Sequence, residues 1–378
     1  MNFEERIHNV ISREMENHES EAVRFLRKIQ EKPKLCLWGL GSHGHNWYSY
    51  LNSLGIHVDY VYDASPEALA GWYGHEERLV LPPPGAARAA YLSDMTVLVT
   101  MRNAQPLVDA LHMDNVRDVY VPTINFFSFD TSLRYAGKPA KLHEMEREVC
   151  ALLRVCADDE SREIVCQTVE KYFDEVHVQI DCIPNQYFVQ PIVPLTDEEC
   201  FVDVGAFDGD TIDAFLQAVG GKYLHIHAFE MSKRNYVRLL HKVQDDARCD
   251  ADRISLYPYG ASDKDGTARY HENNTSSVFS DDGTETAAFR RMDDVLKDRR
   301  VTFIKMDIEG AEPLALRGAE EIIRTQTPKL AICTYHRAEH LWEIPAMIRQ
   351  MNPAYQIYFR HHDKDEMETV CYAIPIGE

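Results

Sequence analysis

Apolar and polar positions along the chain alternate between a helical and a strand period, and this alternation predicts an α/β protein. Residues 1–30 place apolar side chains mostly three or four positions apart, which predicts one or two amphipathic helices that end before Pro33. A strand, a glycine-rich turn and a helix follow, with further strands at 96–100 and 118–122. Strands that alternate with helices indicate parallel βαβ units.

The middle of the chain has a different pattern. The aromatic-rich segment 123–135 is predicted to be irregular, whereas residues 139–180 are charged, lack glycine and show helical spacing. We therefore expect a helical connector, followed by a loop that contains Pro184, Pro191 and Pro194. The acidic part of the connector is predicted to be a solvated helix face.

A second alternating pattern fills the C-terminal half. Helical stretches separate most of its strands, but a polar loop joins the last two, which predicts a hairpin after five parallel strands. The predicted strands are 200–204, 223–229, 254–259, 301–307, 329–334, 354–360 and 369–375.

The length of 378 residues suggests about two to three domains. Both halves have a Rossmann-type pattern, a smaller one first and a seven-stranded one second. The expected divisions are an N-terminal helical segment at 1–32, a nucleotide-binding-type Rossmann-like domain at 33–130, the helical connector and loop at 131–195, and the larger α/β domain at 196–378.

Composition narrows the classes of partner. The chain has 61 acidic and 40 basic residues, a formal net charge of −21, so it repels phosphate backbones, and a nucleic-acid partner is not expected. No apolar run reaches the roughly 18–20 residues that span a bilayer, and the charged N-terminus lacks a signal-peptide core. The nine cysteines form no CxxC pair, which favours buried reduced thiols over a disulfide frame or zinc site. We expect a cytoplasmic protein without a membrane span.

The first chemical signal is the strand–turn–helix sequence FVDVGAFDGDTIDAF at 201–215. Glycines allow a ligand to approach the backbone, and a helix N-terminus supplies free N–H groups. Several carboxylates around the turn argue against phosphate and suit an ammonium, a sulfonium or ribose hydroxyls, all of which S-adenosylmethionine carries. A tight turn with no ligand is the alternative. The residues offered to a cofactor are Asp203, Gly205, Ala206, Asp208 and Gly209.

Two later turns extend this predicted cofactor site. Glu230 ends the second strand, 27 residues after Asp203, where an acid can accept both hydroxyls of a ribose. Ser262 and Asp263 follow the third strand and could meet an adenine edge. A solvated carboxylate at Glu230 and a plain turn at 262–263 are the alternatives.

The fourth strand and the turn after the fifth carry the candidate catalytic residues. Lys305, Asp307 and Glu309 lie on one face of the fourth strand, because side chains alternate along a strand. The fifth strand is followed by His336, so all four residues are expected at one crevice. The alternatives are a Lys305–Asp307 pair that braces the sheet and a structural histidine.

These stretches resemble the FkbM family of S-adenosylmethionine-dependent methyltransferases. The resemblance rests on DVGAFDGDT, AFE, GASDKDG, the pair Ser276–Ser277, MDDVL and, above all, FIKMDIEGAEPLALRGA, and it covers roughly residues 196–376. It implies a class I methyltransferase fold, S-adenosyl-L-methionine as cofactor, and O-methylation of a hydroxyl on a small molecule or glycan. The spacing D-x-G-x-x-x-G departs from the commonest class I glycine pattern.

The N-terminal half carries G-x-G-x-x-G at Gly39, Gly41 and Gly44, with Asp63 nineteen residues after the last glycine. It resembles the small Rossmann-like domains attached to bacterial polysaccharide-biosynthesis enzymes. Nucleotide binding, a structural or docking role, and nicotinamide chemistry remain alternatives for this half.

The resulting hypothesis is an S-adenosylmethionine-dependent O-methyltransferase of a sugar, glycan precursor or related small molecule. His336 and Asp307 are the candidate bases, and Lys305 and Glu309 hold the substrate or orient the base. A divalent cation on Asp307, Glu309 and His336 is the less favoured alternative. The rival hypotheses are a nicotinamide-dependent oxidoreductase and a non-catalytic docking protein of a glycan-assembly complex. A homo-oligomer is one alternative for the oligomeric state.

Overall fold

A computed structural model describes residues 2–16, 21–70, 72, 77–81, 83–101, 104–122, 126–173, 178–272, 277–279, 283–363 and 368–376. The chain divides into two compact units. The larger consists of Met1–Arg13 with Ala140–Glu378, and the smaller of Glu14–Pro139. These units differ from the expected divisions, because the start of the N-terminal helical segment and most of the connector fall in the larger unit.

The first part of the chain forms a five-stranded sheet in the order β3-β2-β1-β4-β5, and all its strand pairs are parallel, as the alternating pattern predicts. In chain order the elements are α1 (Phe3–Glu16), α2 (Glu21–Ile29), β1 (Lys34–Trp38), α3 (Ser42–Ser53), β2 (Tyr60–Tyr62), α4 (Pro66–Ala70), β3 (Glu77–Arg78), α5 (Ala86–Tyr91), β4 (Met95–Val99), α6 (Gln105–Met113), β5 (Val119–Tyr120) and α7 (Phe126–Tyr135).

Apolar side chains cover both faces of the smaller sheet. Leu35 and Leu37 of β1 pack in one core cluster with Trp47 of α3, whereas Cys36 and Trp38 pack in a second cluster. A strand buried on both faces is apolar at consecutive positions, which explains the uninterrupted KLCLW sequence.

The prediction of an irregular segment at 123–135 is wrong for its described part, which forms α7. The ring of Phe129 is almost fully buried and lies 5.0 Å from that of Trp47 and 5.5 Å from that of Phe25. Tertiary packing of this aromatic side chain stabilises a helix that the local sequence does not indicate.

The larger unit contains a seven-stranded sheet in the order β15-β16-β14-β13-β6-β7-β8. The elements are α8 (Pro139–Val155), α9 (Asp159–Lys171), β6 (Cys200–Val204), α10 (Asp210–Ala218), β7 (His225–Phe229), α11 (Lys233–Asp245), a 3₁₀ turn (Ala251–Arg253), β8 (Ile254–Tyr257), β9 (Gly260–Ala261), β10 (Gly266–Glu272), β11 (Ser277–Phe279), β12 (Glu285–Arg290), α12 (Met292–Val295), β13 (Phe303–Met306), α13 (Glu312–Arg317), α14 (Glu320–Gln326), β14 (Lys329–Cys333), α15 (His340–Met351), β15 (Tyr355–His361) and β16 (Thr369–Pro375).

The predicted topology of this sheet is confirmed. Strands β8, β7, β6, β13 and β14 are parallel, whereas β16 runs antiparallel to β14 and forms a hairpin with β15. Its core includes Phe201 and Phe303 on neighbouring strands, with Phe188 packed against both. Each predicted strand falls on an observed one, because apolar runs of this length mark buried strands.

A second sheet of four strands, in the order β11-β10-β12-β9, lies between β8 and β13 along the chain and was not predicted. Its pairs are antiparallel except for β12 with β9. Strands β9 and β11 have only two and three residues, and the longer β10 and β12 consist largely of small, polar and charged residues, so the sheet lacks a strong alternating signal. Ser276, one of the residues in the family resemblance, lies outside the described residues.

The predicted helical connector is two helices, α8 and α9, that belong to the larger unit. Between them the backbone N–H of Ala157 donates to the carbonyl of Ile357 on β15, at 2.8 Å. Asp158 caps α9 by accepting a hydrogen bond from the Ser161 N–H. Among the described residues, no helix combines the length and apolarity needed to cross a membrane.

Candidate active site

Parallel strands of the seven-stranded sheet end side by side, and each end carries a polar residue. Asp203 lies near the end of β6, Glu230 directly follows β7, Asp307 directly follows β13, and His336 follows β14. Because β7, β6, β13 and β14 are consecutive in the sheet, these residues lie along one edge, which we call the carboxyl edge. Open α/β sheets bind ligands at this edge.

Lys305 and Asp203 form a buried ion pair on adjacent strands. Lys305 Nζ lies 3.1 Å from Asp203 Oδ1 and donates to the Gly205 carbonyl at 2.9 Å. Burial raises the pKa of Asp203. Burial also disfavours charged Lys305, but the Asp203 and Asp307 carboxylates outweigh it and raise its pKa. With its ammonium also 5.3 Å from the Tyr187 ring centroid, Lys305 has the contacts of a bracing residue rather than of a substrate ligand.

The turn after β6 contains two glycines at positions where a side chain would be too close to neighbouring atoms. Gly205 has a φ of +80°, and a Cβ there would lie 2.1 Å from the Asp307 carbonyl oxygen. Gly209 has a φ of +90° and directly precedes α10. The N–H groups of Gly205 and Ala206 both donate to the Phe229 carbonyl at 3.0 Å. The turn therefore holds its backbone against β7 and β13.

Glu230 binds the tip of this turn. Its Oε2 accepts a hydrogen bond from the Phe207 N–H at 2.9 Å, and its Oε1 accepts one from the Ser232 N–H at 2.7 Å. Burial outweighs these two bonds and raises the pKa of Glu230 to about 7. Asp208 lies half-buried in the same turn. The predicted residues Asp203, Gly205 and Glu230 are thus neighbours at the carboxyl edge.

Ser262 and Asp263 follow β9 and are held by the protein. The Ser262 N–H donates to the Arg290 carbonyl at 3.0 Å, and a Cβ at Gly318 would lie 2.0 Å from the Ser262 carbonyl oxygen. Asp263 Oδ2 lies 3.5 Å from Arg317 Nε. The RGA part of the family motif therefore fixes the turn that is expected to meet the adenine.

Two tyrosines that sequence reasoning missed bind Asp307. Tyr187 donates its hydroxyl to Asp307 Oδ2 at 2.9 Å, and Tyr335 donates to Oδ1 at 3.1 Å. Tyr335 directly precedes His336, and its place in the turn after the fifth strand is a sequence signal that could have identified it as a site residue. Tyr187 lies in the proline-containing loop, 120 residues from Asp307, so no local sequence signal identifies it.

His336 is surrounded by carboxylates. Its Nε2 lies 3.4 Å from Asp307 Oδ1 and 3.8 Å from Glu309 Oε2, and its Nδ1 lies 2.9 Å from Glu312 Oε1. Burial disfavours the imidazolium, but the charges of Glu312, Asp307 and Glu309 outweigh it and raise the pKa of His336 to about 9. The ring is therefore positively charged at neutral pH.

Asp307 is ionised in the same cluster. Burial raises its pKa, but the positive charges of Lys305 and His336 and the two tyrosine hydroxyls outweigh burial, so the pKa lies below its ordinary value. A group with this pKa accepts hydrogen bonds from a substrate hydroxyl without first losing a proton.

The acidic residues after β13 differ in exposure. The Glu309 side chain is 62% exposed, whereas that of Glu312 is fully buried. Ligand atoms of Asp307, Glu312 and His336 lie within 4.8 Å of one another, close enough to share a metal ion. Sequence reasoning named Glu309 for this group and missed Glu312, although Glu312 stands in the same FIKMDIEGAE motif.

The glycine motif of the smaller unit forms the predicted turn between β1 and α3. A Cβ at Gly44 would lie 2.0 Å from the Gly39 carbonyl oxygen, whereas one at Gly41 would meet no described atom within 4 Å. Asp63 accepts hydrogen bonds from the Leu40 N–H at 2.7 Å and the Ser65 N–H at 2.8 Å. Asp63 thus braces this turn as Glu230 braces the turn after β6.

Comparisons with known proteins agree with this architecture. Residues 203–363 match the family model described as Methyltransferase FkbM domain. The structure is similar to the crystal structure of methyltransferase FkbM from Methylobacillus flagellatus KT, with 21% sequence identity, a TM-score of 0.65, and coverage of 98% of each chain. Fibrillarin from Aeropyrum pernix, crystallised with S-adenosyl-L-methionine, has 12% identity and a TM-score of 0.32 over 48% of this chain and 70% of its own. No curated protein sequence matches.

The seven-stranded sheet with its antiparallel β16 is a class I methyltransferase fold. The protein is a methyltransferase, and residues 203–363 are the part that matches the FkbM domain model.

Proposed function

We propose that the protein is an S-adenosylmethionine-dependent O-methyltransferase that acts on a hydroxyl of a sugar, glycan precursor or related small molecule. The observation that supports this proposal is the placement of two groups at the carboxyl edge. The braced glycine turn with Glu230 lies on one side, and the Asp307–His336 cluster lies on the other. A cofactor and an acceptor can thus bind side by side.

The residues of the turn suit the cofactor. Asp203 Oδ1 pairs with the Lys305 ammonium at 3.1 Å, whereas Oδ2 has no hydrogen bond among the described residues and retains acceptor capacity near the end of β6. Glu230 would accept the ribose hydroxyls, and the turn at Ser262 and Asp263 would contact the adenine. Gly205 lets this turn pack against the Asp307 carbonyl and so brings the cofactor side and the acceptor side of the edge together. The bound cofactor supplies an electrophilic sulfonium methyl group.

On the acceptor side, Asp307 would take the hydroxyl proton. It is ionised and held by two tyrosine hydroxyls, so its orientation is fixed before the acceptor binds. His336 is charged at neutral pH and cannot accept a proton in that state, but it can hold Asp307. Glu309, exposed at the same edge, would bind other acceptor hydroxyls. Placing the oxygen near the methyl group supplies much of the rate.

Ligand-induced stabilisation separates this function from its rivals. A ligand at 100 times its Kd stabilises a protein by about 2.7 kcal/mol. S-adenosylhomocysteine should raise the melting temperature if the proposal holds. A response to NAD(H) alone would support an oxidoreductase that uses Gly39, Gly41, Gly44 and Asp63, and no response to either would support a docking protein.

Methyl transfer from isotope-labelled cofactor to a panel of sugars and nucleotide sugars tests the reaction itself. An O-methyl product identified by NMR would support the proposal, and transfer to nitrogen or carbon would contradict it. Asp307→Asn should lower turnover by about 10²–10⁴-fold, the usual contribution of a catalytic base. The control is Asp298→Asn, which removes an exposed carboxylate.

Binding a divalent cation is a second candidate role for His336. The close spacing of Asp307, Glu312 and His336 favours it. Oxygen ligands with one imidazole suit Mg²⁺ or Mn²⁺. If a chelator removes activity and Mg²⁺ or Mn²⁺ restores it, these residues are metal ligands. If activity is unchanged in chelator, Asp307 keeps the proposed role of proton acceptor.

The smaller unit is proposed to bind a nucleotide. The support is the open space at Gly41, where a phosphate could approach the turn before α3. Calorimetry with nucleotide sugars tests it, with Gly41→Val as the variant expected to block binding. Unchanged binding in this variant would contradict the assignment.

A further inference from the structure

We propose that Glu312 is the positioning residue of this active site: it fixes which nitrogen of His336 faces the acceptor and holds the turn that carries Glu309. The inference rests on the proposed function of the carboxyl edge. The Glu312 side chain is fully buried, so it cannot contact the acceptor directly. It acts instead through the residues that it contacts.

The turn after β13 needs an external support. Glu309 has a φ of +56°, a left-handed conformation that is rare for a residue with a long side chain, and Gly310 follows with a φ of +99°. A non-glycine residue in this conformation persists where the surroundings hold it. Glu312 Oε1 accepts hydrogen bonds from the Ile308 N–H at 2.9 Å and the Gly310 N–H at 3.4 Å. One carboxylate oxygen thus bonds on both sides of Glu309.

The same oxygen lies 2.9 Å from His336 Nδ1. A carboxylate this close to Nδ1 restricts the orientation of the imidazole ring. Nε2 is then the nitrogen that faces Asp307 and Glu309, at 3.4 and 3.8 Å. The carboxylate therefore determines the direction in which His336 acts.

The second oxygen of Glu312 connects to another element. Oε2 lies 3.5 Å from Nδ1 of His340, the first residue of α15, and the His340 side chain is buried. A single side chain on α13 thus contacts the turn after β13, the loop after β14 and the start of α15. These are the segments that carry Glu309 and His336, so their relative placement depends on Glu312.

The test compares Glu312→Gln with Glu320→Gln in the full-length protein. Glu320 is exposed at the start of α14 and serves as the matched control. Glutamine keeps one carbonyl oxygen for the turn but removes the negative charge beside both histidines. Nitrogen-15 NMR of labelled histidine reads the protonation of each ring nitrogen, which a merely structural role would not change.

In Glu312→Gln we expect the His336 ring signals to shift, because the negative charge beside Nδ1 is lost. Turnover should fall by about 10–100-fold, the usual cost of losing a group that orients a functional histidine. The Kd for S-adenosylhomocysteine should stay within about threefold, since the cofactor turn is on other strands. Glu320→Gln should change none of these quantities.

Unchanged His336 signals in Glu312→Gln would overturn the proposal, as would a mutant with normal turnover. If Glu312→Gln is unfolded, Glu312→Asp provides the second variant, because it keeps the charge but withdraws it by one methylene. The proposal then requires altered ring signals in a folded protein. Failure of the proposed function is distinguishable: the wild type would not bind S-adenosylhomocysteine, whatever the ring signals show.

Discussion

Ionisable side chains at the carboxyl edge form hydrogen bonds with other groups of the protein. Lys305 donates to Gly205, Glu230 accepts from two backbone N–H groups, and Asp307 accepts from two tyrosine hydroxyls. Groups held in this way need little reorganisation when a reaction develops charge beside them. At the scale of single residues, the site is therefore already arranged for its ligands.

Glu230→Gln tests the cofactor site through its pH dependence. Burial gives Glu230 a pKa of about 7, and hydroxyl donors bind best to the ionised carboxylate. Binding therefore lowers this pKa, so affinity for S-adenosylhomocysteine should be highest above pH 7 and fall as pH decreases through 7. The groups facing Glu230 are the N–H groups of Phe207 and Ser232 and the charges of Asp203 and Lys305.

In Glu230→Gln, calorimetry should show an affinity at least about tenfold weaker, the value of a hydrogen bond to a charged group. The dependence on pH near 7 should also disappear. Asp245→Asn, at the exposed end of α11, should behave as the wild type. Unchanged affinity in Glu230→Gln would remove this residue from the cofactor site.

Gly205→Ala tests the packing of the glycine turn. The added Cβ would lie 2.1 Å from the Asp307 carbonyl oxygen, at a φ of +80°. We expect a loss of about 2 kcal/mol or more in unfolding free energy, because the backbone must shift to relieve the contact. Chemical denaturation measures it.

The matched control is Gly266→Ala on β10, where a Cβ would meet no described atom within 4 Å. This variant should stay within about 0.5 kcal/mol of the wild type. Equal stability of the two variants would show that the turn can relax around Gly205.

At the scale of elements, residues of one segment fix the ends of another. Asp293, in the MDDVL stretch, accepts hydrogen bonds from the N–H groups of Glu321 and Ile322 in the first turn of α14. Asp158 does the same for α9 and also binds Arg360 of β15. Helix starts have unpaired N–H groups, so a carboxylate placed there joins two elements.

Asp158→Ala tests the junction of α9 with the sheet. The Asp158 carboxylate accepts from the Ser161 N–H at 2.8 Å and pairs with the nearly buried Arg360 guanidinium at 2.7 Å. Removing it eliminates a helix cap and one of two carboxylate partners of Arg360, the other being Glu160. The free energy of unfolding should fall by about 2 kcal/mol or more.

Asp159→Ala is the neighbouring control, because its side chain is 85% exposed and pairs only at the surface with Arg162. Its unfolding free energy should change by less than about 1 kcal/mol. A similar loss in both variants would mean that the cap and the buried pair contribute little.

At the scale of the whole molecule, the larger unit extends beyond the methyltransferase sheet. Ser161 of α9 accepts a hydrogen bond from the Phe359 N–H of β15 at 2.9 Å, and Ile164 and Val165 of α9 are buried. Arg6 of α1 pairs with Glu163 of α9. Helix α9 thus covers the β15 edge of the sheet, and α1 pairs with α9.

Expression of fragments tests this boundary. Residues 140–378 lack only the Met1–Arg13 part of the larger unit. Residues 181–378 should melt at a lower temperature than residues 140–378, or aggregate, because loss of α9 exposes further apolar side chains beside β15. Calorimetry and size-exclusion chromatography compare them. If 181–378 is as stable as 140–378, the helices form a separable connector, as their sequence suggests.

Local sequence patterns identify the strands of the larger sheet and the polar residues at their ends. Runs such as CFVDV and FIKM identify buried strands locally, and the parallel order then places Asp203, Glu230, Asp307 and His336 at one edge. The turn glycines at 205 and 209 are also identified locally, because positive φ angles in a tight turn favour glycine at those positions.

The side chains that contact these polar residues come from distant parts of the chain and depend on tertiary packing. Tyr187 binds Asp307 although 120 residues separate them, and Glu312 contacts both His336 and the turn after β13. Packing of Phe129 stabilises a helix in a segment that has no helical pattern. The hydrophobic period along a chain specifies which face of an element is buried. Which distant side chain meets that face, and whether its charge raises or lowers a pKa there, depends on packing between elements that no local pattern encodes.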